Sequence, residues 1–305
     1  MTTFAIGRAL SDAFGLMRRR PLSVLVWGAL FVIPACTALA LILPEFGDFM
    51  TIAVQMSATP GEPLPQPIMD RMARMQSVNL AMNFVQGVAM AVVYTAIMRA
   101  ILRPAERSFF SLRLGMDEVR VAVVGIAIFV GLYIAMIVAT IVGVIIGVFI
   151  YLSVKAAIVP VGLALFLALM IGFLFAMARL SLIAPTSILR RDFAFDEGWS
   201  LGKGRSGALF GLMLSVFGVL LLIEIVLFSI VAILFFSLVG LTPRAPFATG
   251  DNPFPHILAW VVSHWPVVAV GAVLASAFYG LVAVLAIAPF ASACRQLTEG
   301  QAAPS

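Results

Sequence analysis

Glu224, in the run LLLIEIVLF, is the only acidic residue deep inside an apolar stretch of this chain. A carboxylate in hydrocarbon is costly unless it is paired or protonated, so the position marks a candidate binding or proton-carrying site. Gln76, Asn79, Asn83 and Gln86 recur at helical spacing along one face of a second apolar run. Lipid exposure of such an amide stripe is unfavourable, so it is expected to face a bundle interior or a wet cavity. At about 1.5 Å rise per residue, Glu224 and Asn83 both lie about 24 Å from the basic boundaries of their runs, with Cys36, Thr37 and Ser276 at comparable heights. The expectation is a polar cluster in the outer half of a bundle, formed by Glu224, Asn83, Asn79, Gln86 and Ser276. Three readings of it stay open. Glu224 is protonated packing glue, or part of a binding or ion-coupling site, or a carboxyl at a water-filled edge.

Two other stretches carry suggestive residues and resolve differently. The two histidines, His256 and His264 in HILAWVVSHW, stand eight residues apart with Trp260 midway. Eight residues of helix separate them by about 12 Å, too far to share a metal, so no metal site is expected and the segment reads as an outer interfacial helix. GWSLGKGRS, from Gly198, resembles a phosphate loop. A Walker loop needs G-x-x-x-x-G-K-[ST] after a strand. Here Gly198 falls one position late, Gly204 stands where Ser or Thr is required, and the surroundings are helical. A short helix explains the segment better, with Asp196 and Glu197 at its positive end, Lys203 and Arg205 at its negative end, and Gly202 or Gly204 stopping it. No H-E-x-x-H, no G-x-S-x-G and no paired carboxylates within an apolar run are present, and the acids outside those runs alternate with arginines as a solvated face does. No catalytic residue and no cofactor are assigned.

The elements that must position these residues are set by composition. The chain has 305 residues, 63% hydrophobic and 11% charged, and a mean hydropathy of +1.13. That leaves too little polar surface for a water-soluble globule. Six apolar runs, near residues 22–43, 78–102, 121–152, 157–183, 207–241 and 267–293, are each long enough to cross about 30 Å of hydrocarbon. Backbone satisfaction in lipid makes them helices, and the alternation of a lipid-facing barrel is missing. The third and fifth runs are long enough that they must tilt, kink or extend beyond lipid. Pro34 and Pro160 are candidate helix breaks of the kind transporters use. GVIIG (143–147) and GALFG (207–211) have the spacing that permits close helix packing.

Basic residues orient the spans. Arg8, Arg18, Arg19 and Arg20 precede the first. Arg99, Arg103, Arg107, Arg113 and Arg120 flank the loop after the second. Arg179, Arg190, Arg191, Lys203 and Arg205 follow the fourth, and Arg295 follows the sixth. The opposite side holds only Arg71, Arg74, Lys155 and Arg244. Six spans of an inner (cytoplasmic) membrane, with both termini cytoplasmic, are therefore expected. External loops fall at 44–77, extended and stiffened by TPGEPLPQP, and at 242–266. One membrane domain over 1–305 is expected, with no separate soluble domain.

The sequence pI of about 9.8 follows from this topology and suits anionic headgroups at the cytoplasmic leaflet. It does not imply nucleic acid, because no continuous basic face with base-stacking groups is visible. Arg99 and Arg179 sit at equivalent ends of the second and fourth spans. They are expected to snorkel to phosphate headgroups, with Arg190, Arg191, Trp199, Lys203 and Arg205 at the same level. Membrane lipids are the expected partners; a homo-oligomer or an unknown membrane partner is left open. Cys36 and Cys294 lie at different depths, which argues against a disulfide. IPAC (33–36) and ALA (38–40) resemble processing signals, but the apolar run continues to Leu43 and five more follow, so an uncleaved first helix is expected.

A pattern occurs three times: a short amphipathic segment, a span, a turn and a returning span. The segments are FAIGRALSDAFGLMRRR, with a stripe of Ile6, Leu10, Ala13, Phe14 and Met17; SFFSLRLGMDEVR, with Phe110 and Leu114 one turn apart; and FAFDEGWSLGKGR, with Phe195 and Trp199 one turn apart. Amphipathic helices with basic flanks at that depth lie in the interface plane. The fold class is thus all-α, a polytopic protein of three hairpins, each preceded by a cytoplasmic amphipathic helix.

Arg179-x-Ser181-Leu182-x-x-Pro185, followed by Glu197, Trp199-Ser200-Leu201 and Lys203-Gly204, resembles the signature of a broad, poorly characterised bacterial family of polytopic membrane proteins. That family includes YciC-like proteins and the membrane domain fused to some glycerophosphodiester phosphodiesterases. The match covers residues 179–205, supported by the general layout of the chain; the family supplies no catalytic residues, and the sequence has no room for the phosphodiesterase barrel. The resemblance implies an association with lipid or envelope biology. The resulting expectation is a non-catalytic inner-membrane protein, an accessory in envelope or lipid homeostasis. The alternative is a transporter or lipid-handling protein that uses the polar site around Glu224.

Overall fold

The computed structural model describes residues 4–57, 66–106, 109–154, 158–241 and 262–302. Among them it contains helices and no strand. In chain order these are α1 (Ile6–Arg19), α2 (Pro21–Ser57), α3 (Gln66–Leu102), α4 (Met116–Ser153), α5 (Ile158–Leu180), α6 (Ile183–Arg190), α7 (Phe195–Leu201), α8 (Ser206–Leu241) and α9 (Trp265–Ala302), with a 3₁₀ turn at Phe109–Ser111. Six stretches are long and apolar enough to cross a membrane: Pro21–Ile42, Ile68–Leu102, Met116–Ser153, Val159–Arg190, Ser206–Ile230 and Trp265–Gly300. The chain is an integral, multi-pass, all-α membrane protein. Side chains such as Phe84, Phe129 and Phe228 are left exposed, which is the normal state of an apolar surface whose solvent is hydrocarbon.

Several boundaries differ from the sequence reading. The extended loop expected at 44–77 is mostly helix: α2 continues to Ser57 and α3 begins at Gln66. The Met, Arg, Ala and Gln residues of QPIMDRMARMQS continue the helix beyond the most apolar part of the run, and Pro67 sits in its first turn where proline is tolerated. The TPGEPLPQP stretch lies largely outside the described residues, as does most of 242–266. Pro34 does not interrupt α2, and Pro160 stands in the first turn of α5. The fourth apolar run divides at Ser181 and Leu182 into α5 and α6. The second amphipathic segment is not a helix of its own. Phe109–Ser111 makes one 3₁₀ turn, with Phe110 and Ser111 at φ 51° and 58°, and Met116 already belongs to α4.

The chain packs as two units, one of Met1–Arg19, Tyr94–Gly218 and Val284–Ser305, the other of Arg20–Val93 and Val219–Ala283. In the first, α1 buries Ala9, Ala13 and Leu16, while Phe14 is half exposed. Of the expected stripe, Ala13 is buried, Ile6, Leu10 and Met17 are half-buried and only Phe14 is exposed, so the most buried line runs slightly to one side of it, through Ala9, Ala13 and Leu16. Asp12 Oδ2 fastens the helix by accepting from Ser292 Oγ at 2.5 Å and Arg295 Nη2 at 2.8 Å. Arg295 Nη1 also caps the Ile101 carbonyl at 3.0 Å, near the C-terminus of α3 where carbonyls lack helical partners.

In the second unit, α2 and α9 cross at backbone contact. A Cβ built on Gly28 would overlap the Ser276 carbonyl, and one on Gly280 would overlap the Val24 carbonyl. These are the glycines that permit close packing. Of the four in the two G-x-x-x-G stretches, Gly147 and Gly207 face open space and Gly143 and Gly211 meet only side-chain ends, at 3.8 and 3.4 Å.

Candidate functional site

The last turns of α3 are almost wholly buried from Val93 to Leu102, and Arg99 is buried with them at 2% exposure. Its Nη2 donates to Glu118 Oε1 at 2.6 Å and its Nη1 donates to the Ser111 carbonyl at 3.1 Å. The left-handed residues Phe110 and Ser111 shape the turn that presents that carbonyl. Glu118 stands in the first turn of α4 and is also buried. Its second oxygen accepts from the Gly115 N–H at 3.0 Å, a capping arrangement that the positive end of the helix favours.

A second carboxylate gathers the surrounding arginines. Asp117 accepts from Arg120 Nη1 at 2.9 Å and Arg103 Nη1 at 3.2 Å, and lies 3.7 Å from Arg99 Nη2. Arg103 also donates to the Ile188 carbonyl in α6. Glu106 forms the outer tier, 2.9 Å from Arg191, 3.5 Å from Arg113 and 3.6 Å from Arg103. Arg191, left-handed at φ 58°, ends α6 and directs its side chain toward Glu106. Together these groups line a cavity of about 640 Å³ where one span ends at Leu102 and the next begins at Met116. Arg99 Nε is buried and has no hydrogen-bond partner among the described residues. A buried donor without an acceptor costs about 1–3 kcal/mol.

No known protein family, curated protein or solved structure matches the chain. The chemistry of the site therefore has to be read from its own geometry. Its lining among the described residues offers five guanidinium groups and three carboxylates. Such a set can hold an anion.

Arg99 is a correction to the sequence reading. It was expected to snorkel to headgroups, but it points into protein, because a carboxylate and a carbonyl are there to receive it. Glu118 corrects the expectation that the acids beside the spans form a solvated face. Arg179 is partly exposed; its Nε donates to the Trp199 carbonyl at 3.2 Å and its guanidinium lies 3.8 Å over the Trp199 ring. Arg190 pairs at 2.9 Å with Glu197 on the surface, Lys203 is exposed, and Arg205 donates to the Leu201 carbonyl at 3.2 Å. The short helix expected there is α7, with Asp196 and Glu197 in its first turn, Gly202 as its C-cap and Gly204 at φ 76°. Gly198, read as part of a false phosphate loop, packs against the Ile183 backbone, where a Cβ would come within 2.6 Å of Cα.

Among the described residues, no hydrogen bond joins members of the expected polar cluster that stand on different helices. Asn83 donates to Asn79 at 2.5 Å on its own helix, and Ser276 donates to the Ala272 carbonyl at 2.7 Å. Gln86 is half-buried, and Glu224 is exposed. No hydrogen bond or ion pair among the described residues links Glu224 to any of them. Side chains exposed on a helix face satisfy themselves locally rather than converging. His256 lies outside the described residues; His264 is exposed and shares a 2.8 Å hydrogen bond with Ser263.

Proposed function

We propose that this membrane protein binds anionic headgroups without catalysis, through the arginine-lined cavity beside α3 and α4. The observation that carries the proposal is the position of the cavity. Five arginines meet at the level where two spans end, which is the headgroup level of a bilayer. The distribution of basic residues favours the cytoplasmic leaflet of an inner membrane as the side on which it opens. The resemblance of residues 179–205 to YciC-like proteins agrees with a role in lipid or envelope homeostasis. Transport through a site around Glu224 has less support, since its polar neighbours bond within their own helices.

The test is ligand-linked stability. A ligand that binds only the folded state stabilises it by about 2.7 kcal/mol at a hundred times its dissociation constant. Delipidated protein in detergent should therefore melt higher with dioctanoyl phosphatidylglycerol than with dioctanoyl phosphatidylcholine. Equal shifts for the two would refute anionic-headgroup binding.

A further inference from the structure

Resting on that reading, we infer that the cavity is matched to a phosphomonoester dianion rather than to a singly charged phosphodiester. The first ground is charge. Among the described residues, Arg99, Arg103, Arg113, Arg120 and Arg191 face Glu106, Asp117 and Glu118 across one cavity, so five positive groups against three negative ones leave two positive charges. A phosphomonoester carries close to two negative charges at pH 7, because its second ionisation lies near 6. A phosphodiester carries one.

The second ground is the graded way the carboxylates are used. Asp117 and Glu118 are held on the inner wall by short bonds to Arg99, Arg103 and Arg120. Glu106 alone serves the outer wall, shared between Arg191 at 2.9 Å and Arg113 at 3.5 Å. Those two side chains are 67% and 57% exposed, so both can swing onto an incoming group. One unit of the excess charge is therefore at the mouth, on the exposed arginines, and one is on the inner wall. Guanidinium groups bind planar O–P–O edges through paired N–H donors, and a monoester presents three terminal oxygens where a diester presents two. Behind them, Arg99 contributes a buried positive charge whose Nε has no acceptor among the described residues.

A phosphate monoester reaches such a site either as the headgroup of a membrane lipid or as a free phosphate in solution. Dioctanoyl phosphatidic acid, dioctanoyl phosphatidylglycerol and inorganic phosphate distinguish the cases when titrated into the full-length protein at pH 7.5, with native mass spectrometry and thermal shift as readouts. Phosphatidic acid is expected to bind up to about fivefold more tightly than phosphatidylglycerol, the size of effect one extra partly solvated ion pair supports. The Arg113→Gln/Arg191→Gln variant is expected to lose that preference. Both changes lie at exposed side chains, so its melting temperature without ligand reports whether the fold is intact. Glu106→Gln, which removes the competing carboxylate, is expected to tighten both lipids. Inorganic phosphate binding with the same dependence on Arg113 and Arg191 would support the monoester assignment with a soluble source. Equal affinity for the two lipids, with both weakened in the variant, would overturn the charge match and leave headgroup binding standing. Loss of any preference over phosphatidylcholine, with no phosphate bound, would overturn both. A monoester preference that survives in the variant would remove it from this cavity.

Discussion

Arg99→Met isolates the interaction on which the first unit is built. The substitution keeps length and apolar volume but removes the charge that faces Glu118 at 2.6 Å, with side chains only 3% and 7% exposed. Glu118 would keep the Gly115 N–H and lose its cation. The Ser111 carbonyl, held by two left-handed residues, would lose its donor. Breaking a buried pair from one side costs about 3–5 kcal/mol, because the remaining charge stays desolvated. The surface pair Arg190–Glu197, with side chains 63% and 54% exposed, supplies the control at about 0–1 kcal/mol. With about 2 °C of melting temperature per kcal/mol in a chain of this size, Arg99→Met should fall roughly 6–10 °C and Glu197→Gln no more than about 2 °C. Adding Glu118→Met to Arg99→Met should recover more than half of the loss, since replacing both partners removes the stranded charge. Tryptophan-fluorescence melting in detergent measures all three. Equal small shifts for Arg99→Met and Glu197→Gln would show that Arg99 is not held as described.

Gly28→Val and Gly280→Val should each abolish a monodisperse, folded preparation on size-exclusion chromatography, since backbone carbonyls occupy the space of the new Cβ, whereas Gly147→Val, facing open space, should elute normally. Asp12→Asn weakens the attachment of α1 to Ser292 and Arg295 by about 1 kcal/mol, the groups being partly solvated; amide exchange should rise across Ile6–Arg19 and stay unchanged at Trp27. Glu224→Gln should leave the stability within about 0.5 kcal/mol of the parent, about 1 °C in melting temperature, because no described partner is lost.

The six crossings were legible because a span is a property of twenty or so residues averaged together, and no local detail changes it. The extension of α2 to Ser57 and the start of α3 at Gln66 were not, since hydropathy reports the solvent and not the backbone conformation. The face of α1 is legible through Ala13, but Ala9 is not, because small residues contribute little to an amphipathic stripe while close docking selects them. Arg99 and Glu118 were each visible as span-end charges, yet their pairing depends on a turn of left-handed residues that no spacing rule anticipates. One signal was present. GMDEVR opens a span with two acids directly after a span that closes on Arg99, a better complement than lipid phosphate. The close-packing glycines escaped because Gly28 and Gly280 are on different helices, so the spacing within either run is uninformative.

A cryo-EM map of the protein in nanodiscs containing anionic lipid tests the arginine cavity most directly. It should show Arg99 turned inward onto Glu118 and headgroup density between Arg113 and Arg191. Arg99 extended into the surrounding lipid, with nothing bound between those two side chains, would contradict it.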